Sequence, residues 1–197
     1  RTTCSPCARV RGADGAWAEG GATRPMTKPA ELPPGFRFAT PEVIYTDRLF
    51  VTAGPEEVAL LKRQAAVTPR QRCRLCAHPA PDAAQQEMLI AMVGEGYVRP
   101  HRHRGKSESL TVLEGAADAV LFDEAGAIRE VIGMTPYAEG GQFFYRMPEG
   151  LYHGLVFRTP WFIYVETTAG PFDPARTEPE LARDWRDGDP LIPDGSW

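Results

Sequence analysis

The segment HRHRGKSESLTVLEG, residues 101–115, holds two histidines, a glutamate and a glycine in the pattern His101-x-His103-x4-Glu108-x6-Gly115. Two imidazoles one residue apart point to the same side of a β-strand, because strand side chains alternate between two faces. On a helix they would diverge. A carboxylate five positions after the second histidine can return to the same point across a loop. The segment therefore predicts two strands that share one metal site.

A second pattern, Pro148-x-Gly150-x2-His153 in the hexapeptide PEGLYH, supplies a third imidazole from a distant strand. Three nitrogens and one carboxylate oxygen suit a borderline divalent metal. The sequence does not distinguish iron, manganese, zinc and nickel. The predicted ligands of one divalent transition metal ion per chain are His101, His103, Glu108 and His153.

Both patterns resemble the two signature motifs of the cupin superfamily at every ligand position. A closer resemblance, to the WbuC family of cupin-fold metalloproteins, is carried by GYVRPHRH at 96–103, LFDEAG at 121–126 and Glu166-x3-Gly170-Pro171-Phe172. The upstream Arg72-x-Arg74-x3-His78-Pro79 fits the same family. The resemblance implies a jelly-roll barrel, also called a double-stranded β-helix, around one metal ion. It implies no particular reaction.

The periodicity of the chain independently predicts a mainly β fold with one short N-terminal helix. The helix is expected near residues 55–66, with Pro55 and two acidic residues in its first turn. From residue 87 the apolar period becomes two, which is typical of strands. Asp123 to Gly126 predicts a hairpin turn. The predicted strands are 87–93, 97–103, 108–113, 117–122, 127–132, 142–147, 152–158 and 161–168.

The chain divides into four predicted regions. Residues 1–25 predict an unstructured extension, since they lack hydrophobic periodicity. Residues 26–85 predict strands and a helix that pack on the barrel, and residues 86–172 predict the barrel itself. Residues 173–197 predict an irregular acidic tail.

Composition narrows the class of function. The 197 residues are 43% hydrophobic with a net charge of −4, which fits one globular domain and argues against binding to nucleic acid or an anionic membrane. No apolar run approaches the ~20 residues of a membrane helix. We therefore expect a cytoplasmic protein with a small-molecule ligand and, by analogy with small cupins, a homodimer.

The four cysteines form two CxxC pairs, Cys4/Cys7 and Cys73/Cys76. The loop between the pairs is much longer than in a typical zinc ribbon, so we expect reduced thiols rather than a zinc site. His78, in a loop beside the second pair, is expected to be structural.

Strand parity predicts further pocket residues. If His101 and His103 face inward, Arg99 and Tyr97 should do so too, and Arg99 would then meet a carboxylate or an anionic substrate. Alternatively, Arg99 leaves the barrel rim for solvent. Cupins often have asparagine four residues after the second-motif histidine, and Phe157 at that position predicts an apolar wall.

Two strands leave the choice of face open. Either Tyr145 or Arg146 faces the pocket. On the last strand, either Phe162, Tyr164 and Glu166 face inward, or Trp161, Ile163 and Val165 do. An inward Glu166 would be the candidate catalytic base.

Three classes of function remain. An isomerase or epimerase acting on a small anionic or carbohydrate-like molecule would use the metal, Glu166 and Arg99. An Fe(II)- and O2-dependent oxygenase would use the same ligands, and the apolar Leu155 and Phe157 favour it. A non-catalytic module that binds a small molecule through the metal is the third.

Overall fold

The computed structural model describes residues 30–94, 97–173, 175 and 177–178. The extension predicted at residues 1–25, most of the predicted acidic tail, and Cys4 and Cys7 lie outside the described residues. Within the described part, no helix is long and apolar enough to cross a membrane.

The described strands, numbered along the chain, form two sheets. The larger sheet has seven strands, in the spatial order β1 (Phe36–Thr40), β2 (Val43–Thr46), β3 (Arg72–Cys76), β4 (Gln85–Val93), β11 (Trp161–Ala169), β6 (Glu108–Glu114) and β9 (Phe144–Met147). The smaller sheet has five strands, in the order β12 (Thr177–Glu178), β5 (Tyr97–His103), β10 (Tyr152–Phe157), β7 (Ala117–Phe122) and β8 (Ile128–Met134). Neighbouring strands are antiparallel except β2 and β3, which are parallel. The mainly β, two-sheet prediction is confirmed.

The helix α1 (Pro55–Ala65) is also confirmed. The Gly54 backbone N–H at its start donates to Glu57 Oε2 at 2.9 Å, which satisfies one amide that has no partner inside the helix. Glu56 and Glu57 lie at the positive end of the helix dipole, and Lys62 and Arg63 lie at the negative end.

The predicted hairpin at residues 123–126 joins β7 to β8. Asp123 Oδ1 accepts hydrogen bonds from the backbone amides of Ala125 and Ala127, both at 2.9 Å. A short polar side chain at the start of the turn therefore replaces backbone pairing that the turn cannot make.

The two faces of β11 pack into two different cores. Phe162 and Tyr164 belong to the core between the two sheets, together with Leu110 of β6 and Phe157 of β10. Ile163 belongs to a second core, in which the outer face of β1–β4 packs against α1. The larger sheet is therefore buried on both faces beneath the helix.

The larger sheet continues before residue 86, because β3 pairs with β4 along its whole length. Alternation along β3 sends Cys76 into the inter-sheet core and Cys73 into the core beneath α1. Both thiols are free and buried, and burial raises the pKa of Cys73 to about 12. Side chains on opposite faces of one strand cannot form a disulfide.

Candidate metal centre

The three histidines of the two sequence patterns lie together on the smaller sheet. His153 of β10 pairs directly with His101 of β5, and their ring centroids are 4.3 Å apart. The His101 and His103 ring centroids are 4.8 Å apart. One potential ligand atom from each of the three rings lies within 4.8 Å of the other two. These three side chains could therefore hold a metal ion.

A turn links the two sequence patterns. Gly150 has a φ of +78°, which glycine adopts without strain, and its backbone N–H donates to the His103 carbonyl at 2.8 Å. This bond fixes the entry into β10 against the end of β5. The glycine of the second pattern therefore helps to bring His153 alongside the histidine pair.

Backbone carbonyls fix the tautomers of two of the rings. His101 Nδ1 lies 2.8 Å from the Arg99 carbonyl, and His153 Nδ1 lies 2.9 Å from the Leu151 carbonyl. A carbonyl only accepts, so in both rings Nδ1 carries the proton and donates it. In the neutral ring, Nε2 then presents a lone pair, as a metal ligand must.

Glu108 reaches the histidines from the opposite sheet. One carboxylate oxygen, Oε2, lies 3.0 Å from His103 Nε2, and the other, Oε1, lies 3.3 Å from His153 Nε2. Tyr145 of β9 donates its hydroxyl to Oε1 at 2.9 Å. Glu108 is 6% exposed, so both its oxygens are committed inside the protein.

The contact between His153 and Glu108 tests whether a cation fits here. His153 Nε2 is buried and has no hydrogen-bond partner among the described residues; its 3.3 Å approach to Glu108 lacks hydrogen-bond geometry. When Nδ1 carries the proton, a nitrogen lone pair faces a carboxylate oxygen, and two acceptors repel each other unless a cation or a proton lies between them. The residues present therefore fit a bound metal ion.

Burial and charge oppose each other in this cluster. Burial, followed by the charge of His153, lowers the pKa of His101 to about 4, which keeps that ring neutral. Burial acts to raise the pKa of Glu108, but His103 and His153 lower it well below its usual range. Burial acts to lower the pKa of His153, but Glu108 raises it overall. The carboxylate is therefore ionised, as a metal ligand requires.

The cluster opens onto a cavity of about 540 Å3 between the sheets. Glu166 of β11 lines it, together with Tyr164 and Tyr145. Burial, followed by the negative charge of Glu108, raises the pKa of Glu166 to about 7. Of the two faces that the sequence left open for this strand, the one that carries Glu166 faces inward.

Comparisons with known proteins found one family model and several solved structures of low similarity. A family model described as a domain of unknown function, DUF6016, matches residues 55–134. No curated protein sequence matches the chain. Among solved structures, KdgF from Halomonas sp. has 20% identity and a TM-score of 0.42, over 54% of this chain and 85% of that chain.

A Klebsiella pneumoniae protein with a double-stranded β-helix domain has 18% identity and a TM-score of 0.42, over 54% of this chain and 82% of that one. A variant of Bacillus subtilis oxalate decarboxylase OxdC has 15% identity and a TM-score of 0.41, over 49% of this chain. The chain spans only 24% of that decarboxylase. This chain has two facing sheets, and the histidines of both patterns lie on the adjacent strands β5 and β10. The described residues thus form a mainly β fold of two sheets.

A β-bulge in β5 changes the predicted face of Arg99. Between the pairs His153–His101 and Leu155–Val98, one residue of β10, Gly154, opposes two of β5, Arg99 and Pro100. The extra residue reverses the alternation of faces, so Val98 lines the cavity and Arg99 is exposed. Arg99 therefore takes the solvent alternative, and its carbonyl, rather than its guanidinium, contributes to the site.

The other predicted pocket residues lie in different places. Tyr145 lines the cavity, whereas Arg146 is exposed. Phe157 does not line the cavity: it is 1% exposed and packs on Phe162, with ring centroids 5.6 Å apart. Tyr97 pairs with Val156, and its side chain lies outside the described residues.

His78 is buried beside the cavity and hydrogen-bonded to the backbone. Its Nδ1 lies 3.0 Å from the Glu87 amide and 3.1 Å from the Glu87 carbonyl, and burial lowers its pKa. This placement supports the structural role expected from the sequence.

Sequence reasoning missed the charged residues of β3. Arg72 and Arg74 share the face of Cys76 and line the cavity, as does Lys106 from the loop before β6. Glu42 accepts hydrogen bonds from Arg70 and Arg72 at the same wall. The alternation Arg72-x-Arg74-x-Cys76 is a period-two pattern, and it could have placed these side chains on one face of a strand.

Proposed function

We propose that this chain is a mononuclear metal-dependent enzyme of the WbuC type that acts on a small anionic or carbohydrate-like molecule, as an isomerase or epimerase does. The observation that carries the proposal is the buried, unpartnered Nε2 of His153, facing Glu108 and two further imidazoles at the wall of a cavity. His101, His103, His153 and Glu108 would hold one divalent ion. When bound, such an ion polarises a carbonyl or hydroxyl oxygen of the substrate.

Glu166 is the proposed acid–base catalyst. No hydrogen bond holds its carboxyl among the described residues, and the side chain borders the cavity that the substrate would occupy. A pKa of about 7 lets the group accept a proton and return it near neutral pH. Isomerisation and epimerisation both need a proton removed from one position and delivered to another.

Tyr145 is proposed to position Glu108. Its hydroxyl donates to Glu108 Oε1, while Glu108 Oε2 lies beside His103 Nε2. Burial, followed by the charge of Glu108, raises its pKa well above the usual range, so the hydroxyl keeps its proton and remains a donor. A fixed carboxylate loses less entropy when a metal binds.

An Fe(II)- and O2-dependent oxygenase is the second candidate. The apolar side chains that line the cavity favour it, because they exclude water from a reactive site. They are Met88, Ile90, Met92, Val98 and Leu155.

The proposal also includes a cytoplasmic location and a homodimeric state. The free, buried Cys73 and Cys76 fit a reducing compartment.

Elemental analysis and turnover test the proposal. The double variant His101→Ala/His103→Ala should lose its metal while keeping a β-type circular dichroism spectrum. The matched control His78→Gln, at a buried histidine outside the cluster, should keep about one metal per chain. If the double variant retains a full equivalent of metal, the assigned site is wrong.

The catalytic role is tested on metal-loaded protein with a panel of sugar phosphates and sugar acids. Glu166→Gln should lower kcat by about 100-fold or more with little change in KM, since proton transfer by a positioned side chain contributes about 10²–10⁴-fold. Oxygen uptake by the wild type would select the oxygenase. Binding of panel members without any turnover would support the third class of function, a non-catalytic module that binds a small molecule through the metal.

A further inference from the structure

Arg74 is a cation of the cavity wall that has no direct partner among the described residues. It lies on β3 between Arg72 and Cys76, on the strand face that lines the cavity. Its Nε is buried, and no hydrogen bond or ion pair of its guanidinium occurs among the residues that the structure describes. Arg72, two residues earlier, is instead bound to Glu42, with its Nε 3.1 Å from Oε2.

An unpartnered, buried guanidinium nitrogen is unusual. Removing such a donor from water without supplying an acceptor costs free energy. Proteins normally offset this cost with a carboxylate, as Glu42 does for both Arg70 and Arg72. Among the described residues, the Arg74 guanidinium has no such acceptor, and it lies beside a cavity large enough for a small molecule.

Glu166 does not act as that acceptor. The two side chains lie on the same sheet, with β4 between their strands, and interact electrostatically, but no hydrogen bond joins them. If they formed a tight ion pair, the pKa of Glu166 would be held low, as it is for Glu42 beside its two arginines. The pKa of Glu166 is instead raised to about 7.

We propose that Arg74 is the anion-recognition residue of this cavity and binds a carboxylate group of the ligand. A guanidinium presents paired N–H groups that match the two oxygens of a carboxylate. Lys106 lines the same cavity without an ion pair among the described residues, and it adds a second positive charge. Glu108 and Glu166 also border the cavity, so a singly charged carboxylate fits better than a doubly charged phosphate.

This inference deepens the proposed function: it places the charge of the substrate on β3, across the cavity from β5, where His101 and His103 lie. The substrate class becomes a small carboxylic acid, such as a sugar acid. The inference depends on the proposed function only in taking this cavity as the substrate site. The recognition of the anion itself requires no metal.

The test is isothermal titration of the full chain with gluconate, both metal-loaded and after removal of metal by a chelator. Sorbitol, which has a CH2OH group in place of the carboxylate, is the neutral control ligand, and inorganic phosphate is the competing anion. Arg74→Met should weaken gluconate binding about 10-fold or more in both states, because a hydrogen bond to a charged group is lost. Arg74→Lys should restore part of the affinity, since it keeps the charge but not the fork.

Arg72→Met is the matched control: it lies on the same strand and cavity wall, but its guanidinium is committed to Glu42. It should change the affinity for gluconate less than about 3-fold. The inference is overturned if Arg74→Met binds gluconate as the wild type does, if both methionine variants lose affinity equally, or if phosphate or sorbitol binds as tightly as gluconate. Metal content should stay the same in every variant, so a failure of the metal site would be recognised separately.

Discussion

His101 and His153 lie directly opposite each other on β5 and β10, and each donates its Nδ1 proton to the carbonyl two residues earlier in the chain. The two rings are therefore held by the same kind of side-chain-to-backbone hydrogen bond, which depends only on local backbone geometry. Such bonds fix the tautomer before any metal arrives. The strands themselves supply the preorganisation of these two ligands.

Tyr145→Phe should weaken metal binding without removing it. The variant deletes the hydroxyl that donates to Glu108 Oε1 at 2.9 Å, so the carboxylate is held less firmly. Loss of such a supporting bond reduces metal affinity about 10–100-fold. Competition with a fluorescent chelator measures the change. Tyr137→Phe is the control, because Tyr137 is 78% exposed and should have no effect; equal affinity in both variants would contradict the supporting role.

Gly115→Ala should be far more destabilising than Gly150→Ala, although both glycines have nearly the same φ, +80° and +78°. A Cβ at Gly115 would lie 2.0 Å from the Trp161 carbonyl oxygen, whereas one at Gly150 meets nothing within 4 Å. We expect about 1–2 kcal/mol for Gly150→Ala from backbone strain alone. Gly115→Ala should cost about 3 kcal/mol or more. Urea unfolding measures both, and equal losses would show that the close contact is relieved cheaply.

Glu42 should make stability depend on pH. Burial acts to raise its pKa, but Arg70 and Arg72 lower it below the usual value. The folded chain therefore binds this proton less readily than the unfolded chain. The contribution is complete above the ordinary carboxyl pKa and is lost as pH falls through the lower folded-state value.

Glu42→Gln should therefore lower the free energy of unfolding by about 1–3 kcal/mol at pH 7. The difference from wild type should shrink near pH 3. The control Glu114→Gln breaks the half-exposed pair with Lys62 and should change stability by less than about 1 kcal/mol. A difference between wild type and Glu42→Gln that stays constant from pH 7 to pH 3 would rule out the ion-pair explanation.

The proposed homodimer should form through the edge of the barrel rather than through β11. Both faces of β11 pack into cores, so this strand offers no apolar face to a partner. Exposed apolar side chains lie instead on the edge strands β8 and β9, where Val131 is 52% and Phe144 is 49% exposed. Phe144→Asp should give a monomer by light scattering at micromolar concentration, whereas Phe50→Asp, at an exposed loop, should not. A monomeric wild type would refute the dimer.

The histidines could be predicted from the sequence because their placement depends on strand alternation and motif spacing alone. Arg99 could not, because a single bulge between Val98 and His101 reverses the alternation, and no pattern of residue types marks it clearly. Phe157 is four residues from His153 and shares its strand face, yet it packs into the core beyond the end of the cavity.

Arg74 shows a different limit. The alternation of β3 could have predicted its face, but not that Arg72 would pair with Glu42 while Arg74 has no acceptor in the part of the chain that the structure describes. That outcome depends on pairing between distant segments, because Glu42 lies about thirty residues earlier, beside β2. Tertiary partners of charged residues are not encoded in local periodicity.

The bond from the Gly150 amide to the His103 carbonyl joins segments that lie more than forty residues apart in the sequence. The ligands consequently come together only after β5 and β10 have paired. This pairing should form late in folding, because the two strands are distant in the sequence. A bound ion would stabilise the pairing of β5 with β10 and slow amide exchange along both strands. Any substitution that weakens the pairing of β5 with β10, however far it lies from the imidazoles, should then lower the affinity for the metal.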